Sequence, residues 1–195
     1  MLILFIISGL LILVLKKLDI VPVIVFCQAS ALAVICYRFG PDIPLLALVV
    51  ATKALIVPLL LYYVVRKTTV FVQKPPVIPA SVVFALVLLL FAAAYLFTRH
   101  LQAGPFAMAS IFTALIGILC IVTRHTLVGQ VAGFIVLQNG IFAFTSSFCL
   151  KFTFAIELML AIDVILAVLM MVYAIQTIYK NLGNIDIKTF TTLRG

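Results

Sequence analysis

The stretch FTFAIELMLAIDVILAVLMMVYAIQTIY, Phe152 to Tyr179, decides how the rest of the chain is read. As a helix at about 1.5 Å per residue it extends roughly 40 Å, enough to cross a bilayer. Inside it sit Glu157 and Asp163. On insertion scales an acid at the bilayer centre costs about 2.5–3.5 kcal/mol, while each Leu, Ile or Phe returns only about 0.3–0.6 kcal/mol. The segment absorbs that cost, but lipid offers the acids nothing. Such side chains face a protein interior or a water-filled path, and by default they point to ion or proton handling. Their six-residue spacing is about 9 Å along the axis and roughly 120° around it. That disfavours direct contact and leaves room for a water-bridged relay, with Asp163 near the membrane centre and Glu157 nearer the outer surface.

The whole chain carries the same signature. Of its 195 residues, 67% are hydrophobic and 9% charged, with a mean hydropathy of +1.42. A soluble chain has about 25% charged residues. The net charge of +8 comes from Lys and Arg placed singly or in pairs between apolar runs. These are topology signals, and with no basic patch interleaved with aromatics a nucleic-acid partner is not expected. The lipid bilayer is. Cys27, Cys36, Cys120 and Cys149 form no C-x-x-C pair, so they read as buried structural thiols rather than metal or iron–sulfur ligands. No Gly-rich phosphate loop, Ser/His/Asp arrangement or internal repeat is visible, and no cofactor is expected in the chain. The first fifteen residues lack a charged n-region and a small-residue cleavage site, and Lys16-Lys17 follows them. They read as a retained anchor.

Seven apolar runs follow one another: Met1 to Leu15, Ile20 to Tyr37, Pro44 to Val65, Ala80 to Phe97, Phe106 to Val122, Leu127 to Cys149 and the opening stretch. Residues 180–195 form a polar tail. The expected fold is therefore all-α, a single polytopic membrane domain over 1–195 with about seven transmembrane helices. Breaks after runs one, three, five and seven hold Lys16, Lys17, Arg66, Lys67, Lys74, Arg124, Lys180, Lys188 and Arg194, nine in all. Breaks after runs two, four and six hold three: Arg38, Arg99 and Lys151. The positive-inside bias places the N-terminus outside and the C-terminus in the cytoplasm, which an odd number of spans requires.

One cation lies outside this pattern. Lys53 sits in the middle of run three, in VVATKALIVPLLLYY, five residues before Pro58. Proline has no N–H, so the carbonyl of Ala54 loses its α-helical partner beside a mid-membrane ammonium. Two readings stand side by side: proton or ion handling, and a static buried pair, for example with Asp163. Run six carries Gln138 and Asn139 at its centre. These amides hold water or bond across helices, while Gly133 and Gly140 permit close helix packing. Lys53, Gln138 and Asp163 fall at similar depth on three helices, which suggests a polar layer at the membrane midplane.

Several stretches carry a family likeness: CQAS (Cys27 to Ser30), TKALIVPLLLYY (Thr52 to Tyr63), CIVTRHTLVGQVAGFIVLQNGIF (Cys120 to Phe142), IELMLAIDVILAVLMMV (Ile156 to Val172) and NIDIKTFTTLRG (Asn184 to Gly195). Through them the chain resembles the hydrogenase-4 component E family of group 4 membrane-bound hydrogenases, itself related to the three-helix K-type subunit of complex I. The resemblance implies a three-helix K-like region over 106–179, preceded by a four-helix extension over 1–97. It implies a hydrated proton axis, with an acid at Asp163 and family-like positions at Glu157 and Lys53. Gln138 stands where component E proteins usually have Glu. It further implies a non-catalytic subunit without a redox centre, beside antiporter-like proton-pumping subunits and other membrane-arm subunits. The complex would sit in the cytoplasmic (inner) membrane, with a hydrophilic nickel–iron hydrogenase arm. An accessory subunit of an antiporter-like complex without hydrogenase, and a structural membrane scaffold, are the alternatives.

Overall fold

The computed structural model describes residues 1–15, 17–38, 47–67, 79–124 and 126–148, together with eight positions between 162 and 177. The architecture is all-helical, with no strand among the described residues. Helix α1 is Leu2–Val14 and, after a 3-10 turn at Leu18–Ile20, α2 is Val21–Arg38. A π-helical segment, Val50–Ile56, runs into α3 (Val57–Lys67). Then come α4 (Ala80–His100), α5 (Pro105–Thr123) and α6 (Leu127–Phe148).

Local chemistry sets several of these boundaries. Gln102 adopts a φ of 52° just past α4. There the N–H of Gln102 donates to the carbonyl of Arg99 (3.1 Å) and that of Ala103 to Thr98 (3.0 Å). This is a Schellman ending, which satisfies carbonyls the helix leaves open. Pro105 then opens α5, where its missing N–H costs nothing. Thr126 caps α6: its hydroxyl oxygen accepts the N–H of Gly129 at 3.2 Å, the third residue of the helix.

Helices α5 and α6 pack most closely. Cβ atoms placed on Gly133 and Gly140 would lie 2.9 Å from the backbone nitrogen of Ile121 and 2.5 Å from that of Ala114, and one on Gly117 would overlap the backbone at Leu137. Only glycine lets the two backbones approach this far. Helices α1 and α2 lie against this pair, the π segment and α3 lie against α2, and α4 lies on α5. Phe91 and Phe112 meet edge to face across the α4–α5 contact at 5.3 Å.

Four described helices are long and apolar enough to cross a membrane: Leu18–Ile35, Ala80–His100, Pro105–Thr123 and Val128–Ser147. Leu2–Val14 and Ala47–Tyr63 are apolar but shorter. Thirteen residues of α1 make about 20 Å, against a hydrocarbon core of about 30 Å. The outer surface of α4 is apolar, with Phe84 65% and Leu89 64% exposed. The described positions of the seventh run are helical, with Ile162, Leu166, Leu169, Met170 and Tyr173 exposed. A continuous apolar exterior of this kind is a surface suited to lipid rather than water.

Candidate functional site

Two buried polar centres lie at different levels of the bundle. The first closes α1. Arg124, just past α5, is 3% exposed, and its Nη2 donates to the carbonyls of Ile12 (2.8 Å) and Leu15 (2.9 Å), and also to that of Leu13. The last carbonyls of a helix have no intrahelical donors and carry the negative end of its dipole, so a cation there meets both needs. Gln130 Nε2 in turn donates to the Arg124 carbonyl at 3.3 Å. Burial pulls the guanidinium below its usual value, with Cys120 acting in the opposite direction. Arginine is not deprotonated in proteins, so the site holds a buried positive charge.

The sequence placed Arg124 among the break charges. The structure gives it a buried structural task as well. The bonds to α1 bring the ends of α1 and α5 together, and α3 packs on the Leu18–Ile20 turn. The C-terminal ends of α1 and α5 therefore lie at the same end of the bundle.

The second centre lies deeper, around α6. Lys53 is 4% exposed, at the middle of the π-helical segment. The N–H of Val57 donates to the carbonyl of Thr52, five residues back. The next donor in that register would be residue 58, and Pro58 has none, so the chain returns to α-helical winding. The proline thus marks a change of hydrogen-bond register, more than the single freed carbonyl expected at Ala54. Beside Lys53, Thr52 Oγ1 donates to the Leu48 carbonyl at 2.8 Å. The Lys53 ammonium lies over the ring of Phe142, 4.3 Å from its centroid. A desolvated contact of this type contributes up to about 2 kcal/mol.

One helical turn before Phe142, Asn139 is 2% exposed, and its Nδ2 donates to Gln28 Oε1 at 3.3 Å. Gln28 is 0% exposed, and among the described residues its Nε2 finds no acceptor. A buried donor left unmet costs about 1–3 kcal/mol. The apolar frame of this layer is the cluster of Phe5, Ala31, Leu32, Ile35, Val49, Phe142 and Ala143.

Among the residues expected from sequence, Lys53 and Asn139 come to the same turn of α6. Gln138, about 100° around the helix from Asn139, is only half-buried, so the interhelical amide bond belongs to its neighbour. Glu157 and Asp163 lie outside the described residues. Gln28 was not foreseen as a site residue, although a single amide midway along an apolar run was the available signal. Cys27 is exposed rather than buried, whereas Cys120 is buried as expected. Cys149 and the side chain of Cys36 lie outside the described residues. No group of three or more His, Cys, Asp or Glu that could hold a metal occurs among the described residues. No family model, curated protein or solved structure matches this chain.

Proposed function

We propose that the chain is a non-catalytic membrane subunit of a complex I-like or group 4 hydrogenase-type assembly. In this reading it spans the cytoplasmic membrane seven times, N-terminus outside, and contributes to a proton path through Lys53, Glu157 and Asp163. The observation that carries the reading is Lys53: a buried ammonium, held in a π-helical turn beside a buried amide pair at mid-helix. Non-α turns in membrane helices collect at functional positions, and ionisable groups there mark ion or proton routes. The likeness to component E proteins supplies the partners: antiporter-like pumping subunits and a nickel–iron arm that holds the redox chemistry.

Proton uptake into vesicles carrying the assembled complex tests the path. Lys53→Met and Asp163→Asn should each lower uptake while the complex stays assembled. Full stoichiometry in both variants removes the relay. The composition of the purified native complex separates a hydrogenase-type assembly from an antiporter-like one, because only the former contains a nickel–iron large subunit. A structural scaffold is the second reading. Arg124 favours it, since that buried cation is engaged by helix carbonyls and has a static task.

A further inference from the structure

We propose that the outer face of α3 and the Leu18–Ile20 turn bind one anionic phospholipid, its headgroup at Arg66 and Lys17 and an acyl chain along α3. Such binding needs only a bilayer and is independent of the function proposed above. Arg66, in the last turn of α3, is exposed, and its guanidinium lies over the ring of the exposed Tyr62, 5.3 Å from the centroid. A guanidinium stacked in this way uses its face, so its in-plane N–H donors stay open to the oxygens of a phosphate. Before Tyr62 on the same side come Leu59 and Leu55, both exposed. Steps of four, three and four residues from Leu55 to Arg66 keep the four side chains in one stripe. The stripe is about 16 Å long, half of a hydrocarbon core of about 30 Å. It orders apolar, aromatic and cationic groups as one leaflet orders acyl chain, interface and headgroup.

Packing brings up the second cation. Helix α2 lies against both the π segment and α3, while the turn that precedes α2 lies against α3. Helices α2 and α3 therefore run antiparallel, with the last turn of α3 beside Leu18–Ile20. Val65, next to Arg66, and Leu18 are buried in one apolar cluster. Lys17 is exposed immediately before that turn, just past the α1 carbonyls that Arg124 holds. Neither Lys17 nor Arg66 forms an ion pair with a carboxylate among the described residues. Asp19, exposed in the same turn, opposes an anion, but Lys17 and Arg66 outweigh it, and Lys16 and Lys67 adjoin them in sequence. A zwitterionic headgroup would bring its own ammonium to this cationic end, so the charge balance selects a lipid with net negative charge.

The test is native mass spectrometry of the full chain, released from detergent that holds equal amounts of phosphatidylglycerol and phosphatidylcholine. Retained phosphatidylglycerol should exceed phosphatidylcholine. Arg66→Gln and Lys17→Gln should each cut that excess about five-fold, the scale of one cation near an anionic surface. Lys17→Gln decides alone should Arg66→Gln fail to fold. Arg99 is also exposed but lies at the far end of the bundle, where α4 turns into α5, so Arg99→Gln should leave the excess unchanged. Equal retention of the two lipids by the natural chain overturns the site. So does an excess that survives both the Arg66 and Lys17 variants, or one that falls as far with Arg99→Gln, because net charge alone would then account for it.

Discussion

The bundle buries two cations, and it treats them differently. Arg124 sits where α1 and α5 end and donates to three carbonyls of one helix terminus. Lys53 sits in the π-helical segment, over the ring of Phe142 and one turn of α6 from an amide pair that leaves an N–H without an acceptor among the described residues. About 18 Å of α6 separates the two levels, counting from Leu127 to Asn139. Three carbonyls of one helix end gathered on Nη2 make a static joint, because moving the cation would expose several carbonyls at once. A layer with hydrogen-bonding capacity to spare is chemically able to exchange partners. The rigid, always charged guanidinium suits the first task, and a compact ammonium on a flexible stem suits the second.

Removing the carbonyl-bound cation should have the largest effect. Arg124→Met leaves the α1 carbonyls buried without their donor and should cost about 3 kcal/mol, read as a lower thermal denaturation midpoint in detergent. Arg124→Lys should recover part of this loss, because an ammonium keeps the charge and N–H donors but carries them on a shorter, more flexible stem. Equal stability of all three proteins would break the contrast at its static end. Next comes Gly140→Ala, whose methyl meets the backbone at Ala114 and should destabilise the α5–α6 pair by about 2 kcal/mol. Since Asn139 is the adjacent residue, that variant should also weaken the amide pair, seen as faster hydrogen exchange in α2.

Asn139→Leu should cost about 1–2 kcal/mol by stranding the buried oxygen of Gln28. Adding Gln28→Leu should restore much of the loss, because replacing both partners by apolar groups removes the unmet polarity. A double-mutant cycle with no coupling between the two positions would show that the amide bond is not what holds the layer. Smallest is Phe142→Leu, which takes the ring from beneath Lys53 and should lower stability by about 1 kcal/mol. If it also changes proton uptake in vesicles, the cation over that ring belongs to the dynamic end of the comparison.

Much of this was legible before any coordinate. Apolar runs separated by Gly, Pro and basic breaks gave the helices α2 and α4 to α6, because hydrophobic length and turn chemistry are local properties. Lys53 stood out for the same reason: a charge in an apolar run is costly wherever the run packs. The π-helical winding was half visible, since Pro58 announced a disturbed ladder but not which register would absorb it. The choice between Gln138 and Asn139 was not legible. Adjacent residues differ by about 100° in direction, and only the packing of α2 against α6 decides which of them points inward.

By itself, then, the sequence determined a helical chain with lipid-suited apolar runs and marked Lys53 as a cation inside one of them. Composition and spacing suffice for these, because each depends on a segment and its solvent. Tertiary structure alone decided that Arg124 closes α1, that three glycines bring α5 and α6 into backbone contact, and that Gln28 is the partner of Asn139. Each of those needs two segments, more than 100 residues apart in the cases of Arg124 and Gln28, to meet at one point in space. No local pattern encodes such a meeting, since the energy that selects it exists only when both sides are present.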